Sequence, residues 1–119
     1  MLLRKDFTFD AAHFLPAYHG KCENLHGHTF FLSVTIQGSP GPEGMIIDFA
    51  QFGKLVWDEI VTYLDHRNLN ELFPVPSTEN IAQWVYDKAE MLCHAHHLRL
   101  YEVMLSESSS SHIILRDNE

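Results

Sequence analysis

The sequence predicts an α+β fold in which a four-stranded antiparallel sheet carries two helices on one face, in the chain order ββααββ. Residues 2–13, 27–38 and 99–107 each hold alternating apolar side chains over a strand's length, and alternate side chains of an extended chain share a face. Between them Phe52, Val56, Ile60 and Leu64, then Ile81, Val85 and Leu92, recur at helical spacing, the stripe of a helix packed on a core. A hairpin, two helices and a second hairpin gather the helices on one side of an antiparallel sheet.

The first strand sets Phe7, Phe9, Ala11 and His13 in one register. Residues 14–24 are long for a hairpin loop and include Pro16 and Gly20, as loops with a function often are. In the second strand His26 and His28 continue the face of Phe30, Leu32, Val34 and Ile36. Gly38-Ser39-Pro40-Gly41-Pro42-Glu43-Gly44 is a turn by composition. Asp48, with Gln51 three residues on, resembles a capping box for the first helix. Its apolar stripe and the flanking Trp57 and Tyr63 are expected in the core. After Pro74-Val75-Pro76, Ser77 or Thr78 caps a second helix, Glu79 suits its positive end, and Ile81, Trp84, Val85, Lys88 and Leu92 trace one side. In the third strand Tyr101, Val103, Leu105 and Glu107 share one register and Leu100, Glu102, Met104 and Ser106 the other. Ser108 to Ser111 turn the chain into a closing strand, His112 to Arg116.

A length of 119 residues fits one domain spanning 1–119. The net charge of −8 disfavours nucleic-acid and acidic-membrane partners. Two cysteines, no secretory-type start and no apolar run of membrane-spanning length point to a soluble, cytoplasmic protein. The helix-free face, with Thr8, Asp10, Thr29, Phe31, Ser33, Thr35, Leu100 and Met104, is too apolar to be left wholly in water. Two open sheet edges add a reason to expect a homo-oligomer.

Chemistry concentrates in three places. His13, His26 and His28 end two neighbouring strands on the same side, and Zn²⁺ takes such neutral imidazoles while keeping a position open in catalytic sites. Cys22, four residues before His26, is read as a base or nucleophile beside the metal. Asp65-His66 is a carboxylate–imidazole pair of the kind used in general acid–base catalysis. Glu107 ends an apolar register, as either a buried ligand contact or a solvated strand-end carboxylate. His94, His96 and His97 are dense but lie at a helix end, where a cationic histidine favours the terminus, and Cys93 reads as an inert thiol.

Phe9-Asp10-Ala11-Ala12-His13, Cys22-x3-His26-Gly27-His28, Ile47-Asp48-Phe49, Leu64-Asp65-His66-x2-Leu69-Asn70, Pro76-Ser77-Thr78-Glu79-Asn80 and Val103 to Glu107 resemble, in order and spacing, the 6-pyruvoyl tetrahydropterin synthase family. The three-residue gap between Cys22 and His26 is similar to its bacterial branch, the 6-carboxy-tetrahydropterin synthases of queuosine biosynthesis. The resemblance implies a tunnelling fold (T-fold) assembled as a homohexamer, a dimer of trimers, with active sites between subunits. It implies one Zn²⁺ per subunit on His13, His26 and His28, Cys22 as proton-abstracting thiolate, and Asp65 and His66 as its acid–base partners. Glu107 would grip the pterin ring, helped by Thr78 and Ser108. The implied reaction converts 7,8-dihydroneopterin triphosphate to 6-carboxy-tetrahydropterin, acetaldehyde and triphosphate; the pyruvoyl-forming reaction and a non-catalytic zinc- or pterin-binding role are the alternatives. Lys21, Lys54 and Arg67 are candidates for the triphosphate. Where family members follow the glutamate with threonine and a small-residue turn, this chain carries Ser108-Ser109-Ser110-Ser111.

Overall fold

The computed structural model describes residues 1–16, Gly20 and 24–117. Its elements are β1 (Leu2–His13), β2 (His26–Gln37), α1 (Phe49–Glu59), β3 (Arg67–Asn68), α2 (Thr78–Ala95), β4 (Arg99–Ser106) and β5 (His112–Arg116), with 3-10 turns at Val61–Tyr63 and Leu69–Glu71. Among the described residues these strands form one sheet in the order β3-β1-β2-β4-β5. The four long strands pair antiparallel, and β1 and β2 run in register from Leu2↔Gln37 to His13↔His26.

The expected four strands gain a fifth. β3 lies parallel to β1 through Ala11↔Arg67 and Ala12↔Asn68, held just before this by a bond of 2.6 Å from the His66 N–H to the Asp10 carbonyl. Two residues carry no hydrophobic period, so a strand made by main-chain bonds alone leaves no pattern to read.

Both helices bury their stripes against the same face: α1 packs on β1, α2 on β4 and β5, and the helices touch each other. Phe9 and Phe30 stack with centroids 5.0 Å apart beneath this layer, alongside buried Leu32, Val34, Ile36, Val103 and Leu105. Phe52, Val56, Ile60 and Leu64 are fully buried although α1 ends at Glu59, because the following 3-10 turn continues the descent into the core. The caps follow the sequence: the Asp48 carboxylate accepts from Gln51 N at 2.9 Å, and the Ser77 hydroxyl, not that of Thr78, accepts from Asn80 N at 3.2 Å.

Three expectations about the core are corrected. Trp57 and Tyr63 are 38% and 54% exposed, because a stripe of four residues already fills the α1 contact and both rings lie beside it. Lys88 is exposed, its ammonium 5.7 Å over the Trp84 ring, while the buried side of α2 runs through Ile81, Ala82, Val85, Tyr86, Ala89, Leu92 and Cys93. Leu100 is buried: a bulge opposite Thr35 and Ile36 shifts the pairing from Thr35↔Glu102 to Ile36↔Leu100. One extra residue in a strand reverses the side on which every residue beyond it falls.

Candidate functional site

The strand register assembles the histidines. His13 and His26 are direct cross-strand partners, and His28 is two residues further along the same face, opposite the small Ala11. Ring centroids are 4.7 Å apart for His13–His26 and His26–His28 and 5.2 Å for His13–His28. One nitrogen from each ring lies within 4.8 Å of the others, so the three histidines could hold a metal ion.

The surroundings fix which nitrogen two of the rings offer. His13 Nδ1 lies 2.6 Å from the Pro76 carbonyl and His26 Nδ1 2.7 Å from the Asn24 carbonyl. A carbonyl oxygen only accepts, so Nδ1 carries the proton in each and Nε2 keeps a lone pair, the usual arrangement behind a metal-bound imidazole. Burial lowers the His28 pKa against the opposing pull of Glu107, which favours the neutral form a ligand needs. Phe30 closes the inner side, its ring edge-on to His13 and His28 at 5.7 Å. Asn70 pins the chain just past His13, its amide accepting from Phe14 N at 2.8 Å and donating to Phe14 O at 3.0 Å.

Glu107 reaches the same point. Its Oε2 is 3.4 Å from His13 Nε2 and 3.7 Å from His28 Nε2. All three atoms are buried without a hydrogen-bond partner among the described residues. Leaving such groups unsatisfied costs about 1–3 kcal/mol each. His13 Nε2, left with its lone pair, and Glu107 Oε2 converge with no donor hydrogen between them among the described residues, an arrangement that fits a divalent cation. The carboxylate also lines a small cavity of about 70 Å³ with His13, Leu15, Ser77, Thr78 and Glu79. Thr78 and Glu107 are thus brought together. Ser108 lines a different cleft, on the helix-free face, and its hydroxyl contacts Ser110.

Asp65 and His66 form the expected pair: His66 Nδ1 and Asp65 Oδ2 are 2.9 Å apart. Asp65 Oδ1 accepts from Asp10 N at 3.1 Å, and His66 N donates to Asp10 O. Main-chain bonds therefore register the pair to β1, three residues before His13. His66 holds a left-handed backbone, φ 59°, a conformation that side chains with a Cβ resist. Its hydrogen bond to Asp65, then the carboxylate's charge, raises its pKa. For Asp65 burial acts upward but is outweighed by hydrogen bonds from Asp10 N–H and His66, and its pKa falls. His66 shares an open cleft of about 570 Å³ with His28, Gly27, Asp10 and Arg67.

Cys22 and Lys21 lie outside the described residues. Of the other cations, Lys54 is paired with Asp58 on the exposed side of α1, whereas Arg67 lines the cleft of His66. Among the described residues, His94, His96 and His97 form no metal-competent group. They end α2 instead: His97, φ 58°, follows the last helical turn, and Leu98 N and His97 N bond back to Cys93 O and His94 O at 2.8 and 3.3 Å, a Schellman termination. Sequence reading assigned no role to Asn70, to the Pro76 carbonyl or to Asp10. Asn70 and Asp10 stood inside quoted motifs, but the Asn70 amide bonds the Phe14 backbone and Asp10 holds the Asp65–His66 pair through its own backbone, which residue type alone does not announce.

The family model for 6-pyruvoyl tetrahydropterin synthase matches residues 2–118. A Pyrococcus furiosus dihydroneopterin monophosphate aldolase is 44% identical over 81 residues, 68% of each chain. A 6-carboxy-5,6,7,8-tetrahydropterin synthase of Haemophilus influenzae is 32% identical over 92% of this chain and 94% of its own. The solved 6-pyruvoyl tetrahydropterin synthase of Caenorhabditis elegans superposes with a TM-score of 0.86 at 26% identity, covering 99% of this chain and 96% of that one.

Proposed function

Because the chain belongs to the 6-pyruvoyl tetrahydropterin synthase family, a family of pterin synthases, we propose that it is a zinc-dependent 6-carboxy-tetrahydropterin synthase. It would convert 7,8-dihydroneopterin triphosphate and one water to 6-carboxy-5,6,7,8-tetrahydropterin, acetaldehyde and triphosphate. The observation that carries this reading is the convergence, at the end of β1 and β2, of His13 Nε2, His28 Nε2 and Glu107 Oε2, which have no hydrogen-bond partner among the described residues. The Haemophilus influenzae relative, matched over nearly the whole chain, supports the choice of product.

In this reading His13, His26 and His28 hold Zn²⁺, which when bound supplies Lewis acidity toward the hydroxyls of the substrate side chain. Glu107 accepts the amino and ring N–H groups of the pterin as a carboxylate accepts a guanidinium, and Thr78 lines the same cavity. Cys22 removes a side-chain proton as thiolate. His66, with its Nδ1 proton given to Asp65, gives or takes a proton at Nε2. Arg67, in the cleft of His66, is the preferred cation for the triphosphate. The proposal extends to a single-domain, cytoplasmic chain of the queuosine pathway, working as a homohexamer with one zinc per subunit and no nucleic-acid or membrane partner. In support of assembly, among the described residues β1 is paired on its outer side only at Ala11 and Ala12, and Phe31 and Ile114 are 48% and 45% exposed on the helix-free face.

Incubating the zinc-loaded protein with dihydroneopterin triphosphate and identifying the products tests the reaction. Acetaldehyde released in step with triphosphate supports it; triphosphate without aldehyde assigns the pyruvoyl-forming reaction. The 44% identity to the Pyrococcus furiosus aldolase favours a second reading, side-chain cleavage of dihydroneopterin monophosphate, which would release a phosphorylated two-carbon aldehyde. Cys22→Ala is expected to abolish conversion; unchanged turnover would remove the thiolate from the mechanism.

A further inference from the structure

We propose that Glu107 is itself a ligand of the ion held by His13, His26 and His28 until a pterin binds, and that it leaves the ion to take the pterin. The inference rests on the metal reading above and deepens it: one carboxylate closes the metal site at rest and opens it on substrate arrival.

Register brings the group there. Glu107 follows Leu105 at the two-residue period of β4, so it lies on the face of the sheet that carries His13 and His28. With the Nδ1 proton committed to Pro76 O at 2.6 Å, a neutral His13 turns a lone pair toward Glu107 Oε2, 3.4 Å away. His28 Nε2, 3.7 Å from the same oxygen, also lacks a hydrogen-bond partner among the described residues. The His13 lone pair and the carboxylate oxygen repel at this distance unless a cation lies between them, and zinc takes carboxylate oxygen alongside imidazole nitrogen. Glu107 also forms part of the wall of the cavity it shares with Thr78 and Ser77. To accept both N–H groups of a pterin edge, its two oxygens must face the ring, which is incompatible with Oε2 on the ion. The two positions exclude each other, so the ligand that needs the open metal is the one that opens it.

Zinc affinity, read by chelator competition on wild type, Glu107→Gln and Glu107→Asp, tests the resting position. Both variants are expected to bind zinc about 10- to 100-fold more weakly, the loss typical of removing a group that supports a metal site. The aspartate keeps the charge but not the reach, which separates ligation from net charge. Thermal unfolding of the metal-free variants shows whether each is folded. Cobalt(II) in place of zinc tests the exchange: unsubstituted pterin should change the visible d–d absorption of wild type and leave that of Glu107→Gln unmoved. Zinc affinities within twofold of wild type and superimposable cobalt spectra would overturn the proposal and assign the resting contact to a proton on His13 Nε2. A strong thiolate-to-cobalt charge-transfer band with no effect of Glu107→Gln would also overturn it, giving the position to sulfur. Neither result bears on whether acetaldehyde is released, so the reaction and the carboxylate exchange stand or fall separately.

Discussion

Asp65 accepts from a backbone N–H with one oxygen and from an imidazole with the other, so it fixes His66 in place and in charge together. The His66 pKa is raised from 6.5 and that of Asp65 lowered from 3.8. Attraction involving charged His66 is fully present below its ordinary value and fades as pH rises through the raised one. The contribution of Asp65 is present above 3.8 and is lost as pH falls through its lowered value. The pair is therefore complete from about pH 4 to 6.5. Asp65→Asn should lower the pH at which His66 deprotonates, read from its ring protons by NMR; an unmoved titration would deny the coupling. The two thiols are expected to differ in reactivity, Cys22 being proposed as the thiolate. Burial, aided by Glu90, pushes Cys93 up to about 11, so a disulfide reagent at neutral pH should react quickly with one thiol per folded chain. Cys22→Ala should abolish that fast phase, and its survival would mean that Cys93 is the reactive group.

At the scale of elements, the ends of α2 are set by identifiable residues. Ser77→Ala removes the hydroxyl that accepts from Asn80 N and should cost about 1 kcal/mol in urea unfolding. His97→Gly relieves a left-handed backbone at φ 58° and should gain about 1 kcal/mol. A loss of stability in His97→Gly would show that the imidazole contributes more than its backbone costs. The long strands and both helices were legible because their periods of 2 and 3.6 persist over many residues. β3 was not, since two residues have no period, and Leu100 was misassigned because a bulge leaves no mark on composition. Trp57 and Tyr63 were misplaced because aromatic character does not say which residues of a stripe the core has room for.

At the scale of the molecule, the metal-competent histidines were legible because strand parity decides whether three rings can meet. The contacts behind the rings were not, because the Pro76 carbonyl and Asn70 act through backbone contacts that long-range folding creates. Glu107 was legible as a register and not as a contact: alternation gave its face, and only the folded chain brings it to the histidines. Among the described residues the outer sides of β1 and β5 are left largely open, which favours association, and the proposed homohexamer should have a mass by light scattering six times that of the chain; a monomer at micromolar concentration would contradict the assembly. The central claim is that β1 and β2 bring three imidazoles onto one ion, and zinc per chain by mass spectrometry, after dialysis against metal-free buffer, tests it most directly. The account predicts about one zinc per wild-type chain and its loss in His26→Ala, while equal zinc in both proteins would contradict it.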